Sequence, residues 1–256
     1  MSKWIYTRRA MLVRSALSLV GLYVGGCDRL RGAPTLGTLL PSSDALTYRA
    51  HRLILHDKDL AREFHEADIS SVFKPYGSSM PESRQYQDLL ATRFASWQLA
   101  VDGLVAAPLQ LSLAALRSLP SRTQITRHDC VDGWSAIGKW TGVNLGSVLK
   151  LAGILPAARY VVFHCADRGE RVEESYYESL DMVDAFHPQT LLAYELNGAP
   201  LPVGNGAPLR LRVERQLGYK HAKYLMRIEL VERLDQIAAG KGSYWADRGY
   251  DWYAGI

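Results

Sequence analysis

Cys130 lies in a segment that is poorly suited to a buried core, residues 127–139, with the sequence RHDCVDGWSAIGK. Charged side chains precede the cysteine, and an Asp-Gly-Trp-Ser sequence typical of a turn follows it. Soft sulfur ligands select thiophilic metals, so a cysteine in a loop is a suitable metal ligand. The segment therefore predicts that Cys130 is the centre of the chemistry.

A second segment with chemical potential runs from Asn205 to Arg227, where six basic residues accompany one acidic residue, Glu214. A tight-turn sequence, NGAP, begins at Asn205, and residues 218–223, GYKHAK, combine a glycine with clustered donors. Backbone amides and basic side chains can together hold a phosphate. We predict an anionic ligand here, and a solvated basic strand face is the alternative. The basic residues are Arg210, Arg212, Arg215, Lys220, Lys223 and Arg227.

A single loop cysteine near an anion site indicates a metal whose other ligands come from a cofactor. A structural zinc site would need four protein ligands. The candidates are His128, Cys130, His164 and Cys165. His164 and Cys165 are adjacent in a run typical of a strand, so their side chains point to opposite faces and cannot easily share one metal. The Cys-x-x-Cys-His attachment motif of haem is absent from the sequence.

The beginning of the chain predicts export. The pair Arg8 and Arg9 resembles a twin-arginine signal. The apolar stretch that follows, residues 15–26, is shorter than the roughly 20 residues of a membrane span. Residues 24–27, VGGC, resemble a lipobox, which would make Cys27 a lipidated N-terminus; an ordinary signal peptide with a coincidental cysteine is the alternative.

The predicted domain organisation follows from these features. We expect a signal over residues 1–26, a tether over residues 27–44 and a single domain over residues 45–256. The formal net charge of +4 disappears when the four basic residues of the signal are removed, so the charge gives no indication of nucleic-acid binding. Export would place Cys130 and Cys165 in an oxidising compartment, where a disulfide between them is one alternative.

The elements that must position these residues are mainly strands. Strands are predicted over residues 97–101, 160–165, 191–196, 199–203, 209–213 and 224–231, with an Asn-Gly type I′ turn in the one hairpin. Short helices are predicted over residues 60–67, after Ser112, and between Asn144 and Gly153, with Asn144 as the N-cap. The predicted fold class is α+β, with a mainly β framework and short helices.

Four ordered motifs together resemble the sulfite-oxidase-type molybdopterin oxidoreductases, a family that includes the periplasmic methionine sulfoxide reductase catalytic subunits. The motifs are CVDGWS with WTGV after Cys130, YVVFHC at residues 160–165, NGAPLR at residues 205–210, and GYKHAK at residues 218–223. The resemblance covers about residues 97–232. It implies the sulfite-oxidase-type molybdopterin-binding fold and a molybdenum–molybdopterin cofactor.

The resemblance also implies roles for single residues. Cys130 matches the thiolate that ligates molybdenum, and Cys165 matches a position that contacts the pterin. Further implied contacts to the pterin and its phosphate fall on Asn205, Arg210, Lys220, His221, Ala222 and Lys223. The sequence departs from the family at Tyr76, where an amide side chain that touches the pterin is expected.

The implied function is that of an exported, lipid-anchored, periplasmic oxidoreductase that transfers an oxygen atom between water and a small substrate such as sulfite, a sulfoxide or an N-oxide. A membrane haem or quinone-linked protein, or a soluble cytochrome, would exchange its electrons, and the enzyme would be a monomer. Two other functions stay open: a thiol-redox protein that uses Cys130 and Cys165, and a lipoprotein module that binds an anionic ligand. The aromatic residues after Gly240 are expected to pack onto the domain, or else to line a substrate funnel.

Overall fold

The computed structural model describes residues 45–56, 59–168 and 175–256. It divides the chain into two units, residues 1–50 and residues 51–256. Residues 45–50 of the first unit are helical, and the predicted signal, Cys27 and the tether lie outside the described residues. Among the described residues, no helix combines the length and the apolar character needed to cross a membrane.

Ten strands form two five-stranded sheets in the described part of the second unit. They are β1 (Gln98–Gly103), β2 (Leu109–Ser112), β3 (Ser121–Asp129), β4 (Ser135–Asn144), β5 (Tyr160–Arg168), β6 (Ser175–Asp181), β7 (Leu191–Leu196), β8 (Ala199–Pro200), β9 (Arg210–Arg212) and β10 (Leu225–Val231). The first sheet has the order β2-β1-β10-β5-β6, in which β1 and β10 run parallel. The second has the order β3-β4-β7-β8, with β9 paired to β7.

Helices are short and few among the described residues. They are α1 (Arg84–Ala91), α2 (Leu113–Ser118), α3 (Leu145–Ala152) and α4 (Met182–Ala185), besides helical residues 51–54. Single turns of 3-10 helix occupy Glu66–Asp68, Val203–Asn205, Gly218–Lys220 and Ala246–Arg248. The predicted α+β class with a mainly β framework is therefore confirmed.

Alternation along β5 gives that strand two different faces. Val161, Phe163 and Cys165 lie in the main hydrophobic core. His164 points to the other face, where its Nε2 lies 2.8 Å from a carboxylate oxygen of Glu229. The predicted separation of His164 from Cys165 is confirmed, because successive side chains of a strand point to opposite sides.

The predicted hairpin around the Asn-Gly sequence is also present. Asn197 and Gly198 have φ values of 53° and 78°, which a type I′ turn requires at both central residues. The second strand ends at Pro200 rather than at residue 203. Pro200 and Pro202 have no N–H to donate to a ladder, so the chain leaves the sheet early.

One local prediction was wrong and another was confirmed in position only, because distant partners compete with local structure. Residues 60–67 do not form a helix: Glu63 forms an isolated bridge with Thr126 of β3, and a single 3-10 turn starts at Glu66. Asn144 does occupy the N-cap position of α3, but its side chain makes no capping hydrogen bond. Its amide nitrogen donates instead to the backbone carbonyls of His187, Pro188 and Thr190, before β7.

A buried ion pair connects β9 to β3. Arg212 donates to both carboxylate oxygens of Glu214, at 2.9 and 2.6 Å. Both side chains are completely buried. Gln124 on β3 donates to Glu214 at 2.9 Å, and Arg212 donates to Nδ1 of His128, also on β3, at 3.1 Å. Each charge is thus compensated by a partner fixed in the fold.

Glu214→Gln should lower the free energy of unfolding by about 3–5 kcal/mol, because it leaves the buried Arg212 charge without its counter-ion. Glu195→Gln is the matched control. Glu195 pairs with Arg117 at 2.8 Å on the surface, so its loss should cost less than about 1 kcal/mol. Urea unfolding monitored by tryptophan fluorescence measures both, and equal losses for the two variants would contradict the assignment.

Candidate functional site

A cavity of about 530 Å³ opens beside the hairpin that joins β3 to β4. Its described walls come from residues 76–78, residues 130–132, the adjoining parts of β5 and β6, residues 219–223 and residues 244–250. These segments are far apart in the sequence. A cavity of this volume suits an organic cofactor or a ligand of similar size.

Cys130 is held in the tight connection of this hairpin. Its N–H donates to the carbonyl of Trp134 at 2.9 Å, and its carbonyl accepts from the N–H of Gly133 at 3.0 Å. Gly133 has a φ of 86°, which favours glycine. The predicted presentation of this thiol at a loop is therefore what the structure shows, with the half-buried side chain on the cavity wall.

The surroundings of the Cys130 thiol favour its protonated form as long as no cation is near. Burial raises its pKa, and the Asp132 carboxylate, whose Oδ2 lies 3.5 Å from Sγ, acts in the same direction. A bound metal ion would reverse this preference, because a coordinating thiol gives up its proton. The other free thiol, Cys165, is buried in the core.

Arg127 and Asp129 lie at the end of β3, next to Cys130. They pair with each other, with Nε of Arg127 2.9 Å from Asp129. Ser135 also donates to Asp129 at 2.5 Å. These contacts lie on the outer side of the hairpin and stabilise its end.

His128 lies fully buried behind Cys130. Because its Nδ1 accepts from Arg212, its Nε2 carries the hydrogen, and this Nε2 has no partner among the described residues. Burial, followed by the nearby Arg212 and Arg210 charges, holds the pKa of His128 well below its usual range, so the ring is neutral. A Cβ on Gly218 would lie 2.4 Å from Nε2. The absence of a side chain at Gly218 therefore lets the backbone approach His128 closely.

Tyr76, the residue that departs from the family pattern, lies on the cavity wall. Its ring stacks on His128, with centroids 4.5 Å apart. Its hydroxyl donates to the carbonyl of Gly218 at 3.1 Å and accepts from the guanidinium of Arg210. Tyr76 thus joins three parts of the wall.

The positive charges of the basic segment, from Asn205 to Arg227, are more fully paired with carboxylates than its sequence indicates. Ion pairs link Arg212 with Glu214, Arg215 with Asp184, Lys220 with Glu178, and Arg227 with Asp102 and Glu229. The alternative of a solvated strand face is excluded for β9, since Arg210 and Arg212 are fully buried. Within the described residues, Arg210 and Lys223 form no ion pair and remain as the net positive charges of the segment.

Arg210 and Lys223 are held by oxygen atoms without formal charge. Arg210 donates to the carbonyls of Asn205 at 2.9 Å and His221 at 3.3 Å, and burial lowers its pKa. The ammonium of Lys223 donates to the carbonyls of Tyr76, Ser78 and Gly204. Burial lowers the pKa of Lys223 to about 7, while the three carbonyl acceptors favour its charged form.

The structure brings three of the predicted site residues to the cavity wall: Cys130, His221 and Lys223. Asn205 and Arg210 lie behind this wall, joined by the hydrogen bond between them.

The other three predicted residues are engaged elsewhere. Cys165 packs in the core. The ammonium of Lys220 lies 2.5 Å from a carboxylate oxygen of Glu178, and both side chains are buried. The backbone carbonyl of Ala222 accepts from Leu211. The cofactor contacts implied for these residues stay predictions.

Asp167 on β5 is a wall residue that sequence reasoning missed. It is 5% exposed, and its Oδ1 has no partner among the described residues. Burial raises its pKa to about 7. The signal was present in the strand pattern, because Asp167 is two residues beyond Cys165 and so shares its face.

The aromatic tail contributes both to packing and to the cavity. Tyr244, Trp245 and Tyr250 line the cavity, as does Tyr219. Their rings form a continuous series, with centroids 5.3 Å apart from Tyr244 to Trp245, 5.0 Å from Trp245 to Tyr250 and 5.5 Å from Tyr250 to Tyr219. Trp252 instead packs inward and donates to Ser179 at 2.7 Å. We call the series of four rings the aromatic wall.

The residues present fit a molybdenum–pterin cofactor. A thiol lies on the wall of a cavity large enough for a pterin, and two wall residues, Asp167 and His221, have buried polar atoms without partners in the described part of the chain. Such atoms can satisfy the hydrogen-bonding groups of a heterocycle. The described residues contain no group of three or more His, Cys, Asp or Glu side chains arranged to hold a metal ion.

Comparison with known proteins gives the family. Residues 86–237, which are 152 of the 256 residues, match the family described as oxidoreductase molybdopterin binding domain. A protein-methionine-sulfoxide reductase catalytic subunit MsrP from Xanthomonas axonopodis pv. citri is 40% identical over 243 residues, covering 91% of this chain and 73% of that protein.

Two further relatives are matched over shorter parts of their length. A putative protein-methionine-sulfoxide reductase subunit YedZ1 from Azospira oryzae is 43% identical over 161 residues, covering 63% of this chain. The match spans 56% of that relative, little more than half of its length. The sulfane dehydrogenase SoxCD from Paracoccus pantotrophus has a TM-score of 0.49 at 23% identity, covering 54% of this chain and 38% of that chain.

The family match spans more than half of the chain, and the Xanthomonas relative is similar over most of both proteins. These matches include the segments that carry Cys130, β5 and the turns around Asn205 and Gly218. The predicted family and cofactor are therefore confirmed. The chain belongs to the oxidoreductase molybdopterin binding domain family, whose cofactor is molybdenum–molybdopterin.

Proposed function

We propose that this protein is a molybdenum–molybdopterin enzyme that reduces an organic sulfoxide, with a methionine sulfoxide side chain as its substrate. The observation that carries the proposal is that the Cys130 thiol and the aromatic wall face one cavity. The names of the relatives point in the same direction, since two of them are protein-methionine-sulfoxide reductase subunits. The reaction consumes a sulfoxide, two electrons and two protons, and yields a thioether and water.

The cofactor, when bound, supplies a metal that exchanges an oxygen atom with the substrate and passes electrons on. Cys130 would hold this metal through its sulfur. The hairpin hydrogen bonds to Trp134 and Gly133 fix the position of the thiol before a metal arrives. His221, Lys223 and Tyr76 line the same cavity, where Lys223 would supply a positive charge for an anionic cofactor.

The aromatic wall explains a preference for an organic substrate. Thioether sulfur and its neighbouring carbon atoms make favourable contacts with aromatic rings. Tyr250 is 41% exposed and Val131 is 47% exposed, so this end of the cavity opens to solvent and forms its mouth. A sulfoxide that bears apolar groups gains from burial against these rings, whereas inorganic sulfite has no apolar surface to bury.

Export, anchoring and electron supply are parts of the same proposal. The twin-arginine pattern at Arg8 and Arg9 supports export to the periplasm, and Cys27 supports a lipid anchor. A membrane haem or quinone-linked protein, or a soluble cytochrome, would deliver electrons one at a time to a monomeric enzyme. Mass spectrometry of the mature protein would identify Cys27 as the modified first residue.

The decisive experiment is metal analysis followed by a substrate panel. The purified protein should contain about one molybdenum per chain, and with a reduced viologen dye it should reduce methionine sulfoxide with a higher kcat/KM than dimethyl sulfoxide or trimethylamine N-oxide. Metal-free protein would favour the thiol-redox or binding-module alternatives. A holoprotein that oxidises sulfite but reduces no sulfoxide would contradict the proposed substrate.

Cys130→Ser should remove the electron paramagnetic resonance signal of the metal while most of the pterin stays bound, because the thiolate is the protein's own bond to the metal. Ser135→Ala is the control, since it changes the same hairpin without changing the thiol. Pterin content is measured by fluorescence after oxidation. An unchanged metal signal in Cys130→Ser would exclude Cys130 as the ligand.

Trp245→Ala should raise KM for a peptide that contains methionine sulfoxide by about 10-fold, with a smaller effect on kcat, because it removes an apolar contact at the mouth of the cavity. Steady-state kinetics with the viologen dye give both constants. Trp252→Phe changes a tail residue that packs on Ser179 instead, and it should leave KM unchanged. Equal effects of the two variants would exclude the aromatic wall as the substrate contact.

A further inference from the structure

Asp167 lies among the most buried residues of the cavity wall, which we call the closed end of the cavity. Asp167 and Lys223 are each 5% exposed and His221 is 3% exposed, whereas Val131 and Tyr250 at the mouth are 47% and 41% exposed. A substrate enters from the mouth, so a resident group occupies the closed end. Asp167 therefore faces the place of the cofactor rather than that of the substrate.

Four hydrogen-bond donors that the structure describes near Asp167 are already used by backbone carbonyls. Tyr176 donates to Tyr219 at 2.7 Å, Tyr86 donates to Ala207 at 2.7 Å, and Tyr224 donates to Ser78 at 2.9 Å. Lys223 donates to the carbonyls of Tyr76, Ser78 and Gly204.

One carboxylate oxygen, Oδ1, is consequently left without a partner among the described residues. A buried polar atom of this kind is costly unless it is paired, by roughly the desolvation penalty of the group. Oδ1 of Asp167 is such an atom, on the wall of a cavity. The arrangement indicates that this oxygen accepts hydrogen bonds from a ligand with N–H donors.

We propose that Asp167 binds the pterin ring of the cofactor, its carboxylate accepting hydrogen bonds from ring N–H groups. The amino-oxo edge of a pterin presents neighbouring N–H donors, and a carboxylate offers two acceptor oxygens that can receive them together. The inference depends on the cofactor of the family and is independent of which substrate the enzyme reduces. It adds Asp167 to the residues implied by the sequence motifs.

The proposal has a pH signature. N–H donors stabilise the charged carboxylate, so the pterin is held most tightly when Asp167 is ionised and less tightly as pH falls and the group takes up a proton. Burial by itself raises the pKa of this carboxyl to about 7, and the Lys223 charge opposes the rise. The other titratable groups that face it are Cys165, Tyr86, Tyr176 and Tyr224, whose pKa values are all raised, so they stay neutral.

Pterin retention by the full-length holoprotein tests the proposal. Wild type, Asp167→Asn and Asp167→Ser are dialysed at several values between about pH 5.5 and 8, and the remaining pterin is oxidised and measured by fluorescence. Asp167→Asn keeps the size of the side chain. Asp167→Ser is the second test variant, in case Asp167→Asn does not fold. Asp102→Asn is the matched control, because it makes the same change on β1 in a half-exposed pair with Arg227.

At the alkaline end, both Asp167 variants should lose pterin about 10- to 100-fold faster than wild type, the loss expected for a hydrogen bond to a charged group. Wild type should approach the variants as the pH falls, and the variants should show a flatter pH profile. Asp102→Asn should match wild type.

Wild-type retention in Asp167→Asn would overturn the proposal, and so would a lower retention with an unchanged pH profile, which would indicate a structural effect. Wild-type protein without pterin would overturn it together with the cofactor assignment. Absence of sulfoxide reduction in a protein with the expected retention would contradict the proposed substrate and leave Asp167 as a pterin ligand.

Discussion

The position of the hairpin that carries Cys130 depends on the buried ion pair between Arg212 and Glu214. Removing two charges from water is expensive, and it is tolerated where each charge has fixed partners. Here the partners include Gln124 and His128, both on β3. Cys130 follows His128 by two residues, so the pair that stabilises β3 also determines where the thiol lies.

The basic residues near the cavity have a structural task as well as an electrostatic one. Lys223 draws together the carbonyls of Tyr76, Ser78 and Gly204, and Arg210 joins Asn205 to His221. Carbonyl dipoles stabilise these cations without neutralising them, so a positive potential remains for an anionic cofactor. Lys223 and Arg210 therefore hold the segments of the cavity wall together and also attract the anionic cofactor.

Much of the secondary structure could be predicted from the sequence, because alternation along one strand and the Asn197-Gly198 turn depend on local geometry. The local interactions expected from the sequence were replaced where a distant partner competed. Residues 60–67 bond to β3, and Asn144 donates to the chain before β7 instead of capping its helix. The ion pairs of most basic residues between Asn205 and Arg227 could not be predicted either, since their counter-ions come from remote strands and turns.

The sequence by itself determined the presence of a thiol in a loop, the two faces of β5, and the ordered motifs that identify the family. These features depend on residue type and on spacing along a short stretch of chain. Only the tertiary structure decided that Lys220 is paired with Glu178, and that Asp167 and the aromatic tail meet Cys130 at one cavity. Pairing and cavity formation depend on distances between residues far apart in the sequence, and those distances exist only after the sheets have packed.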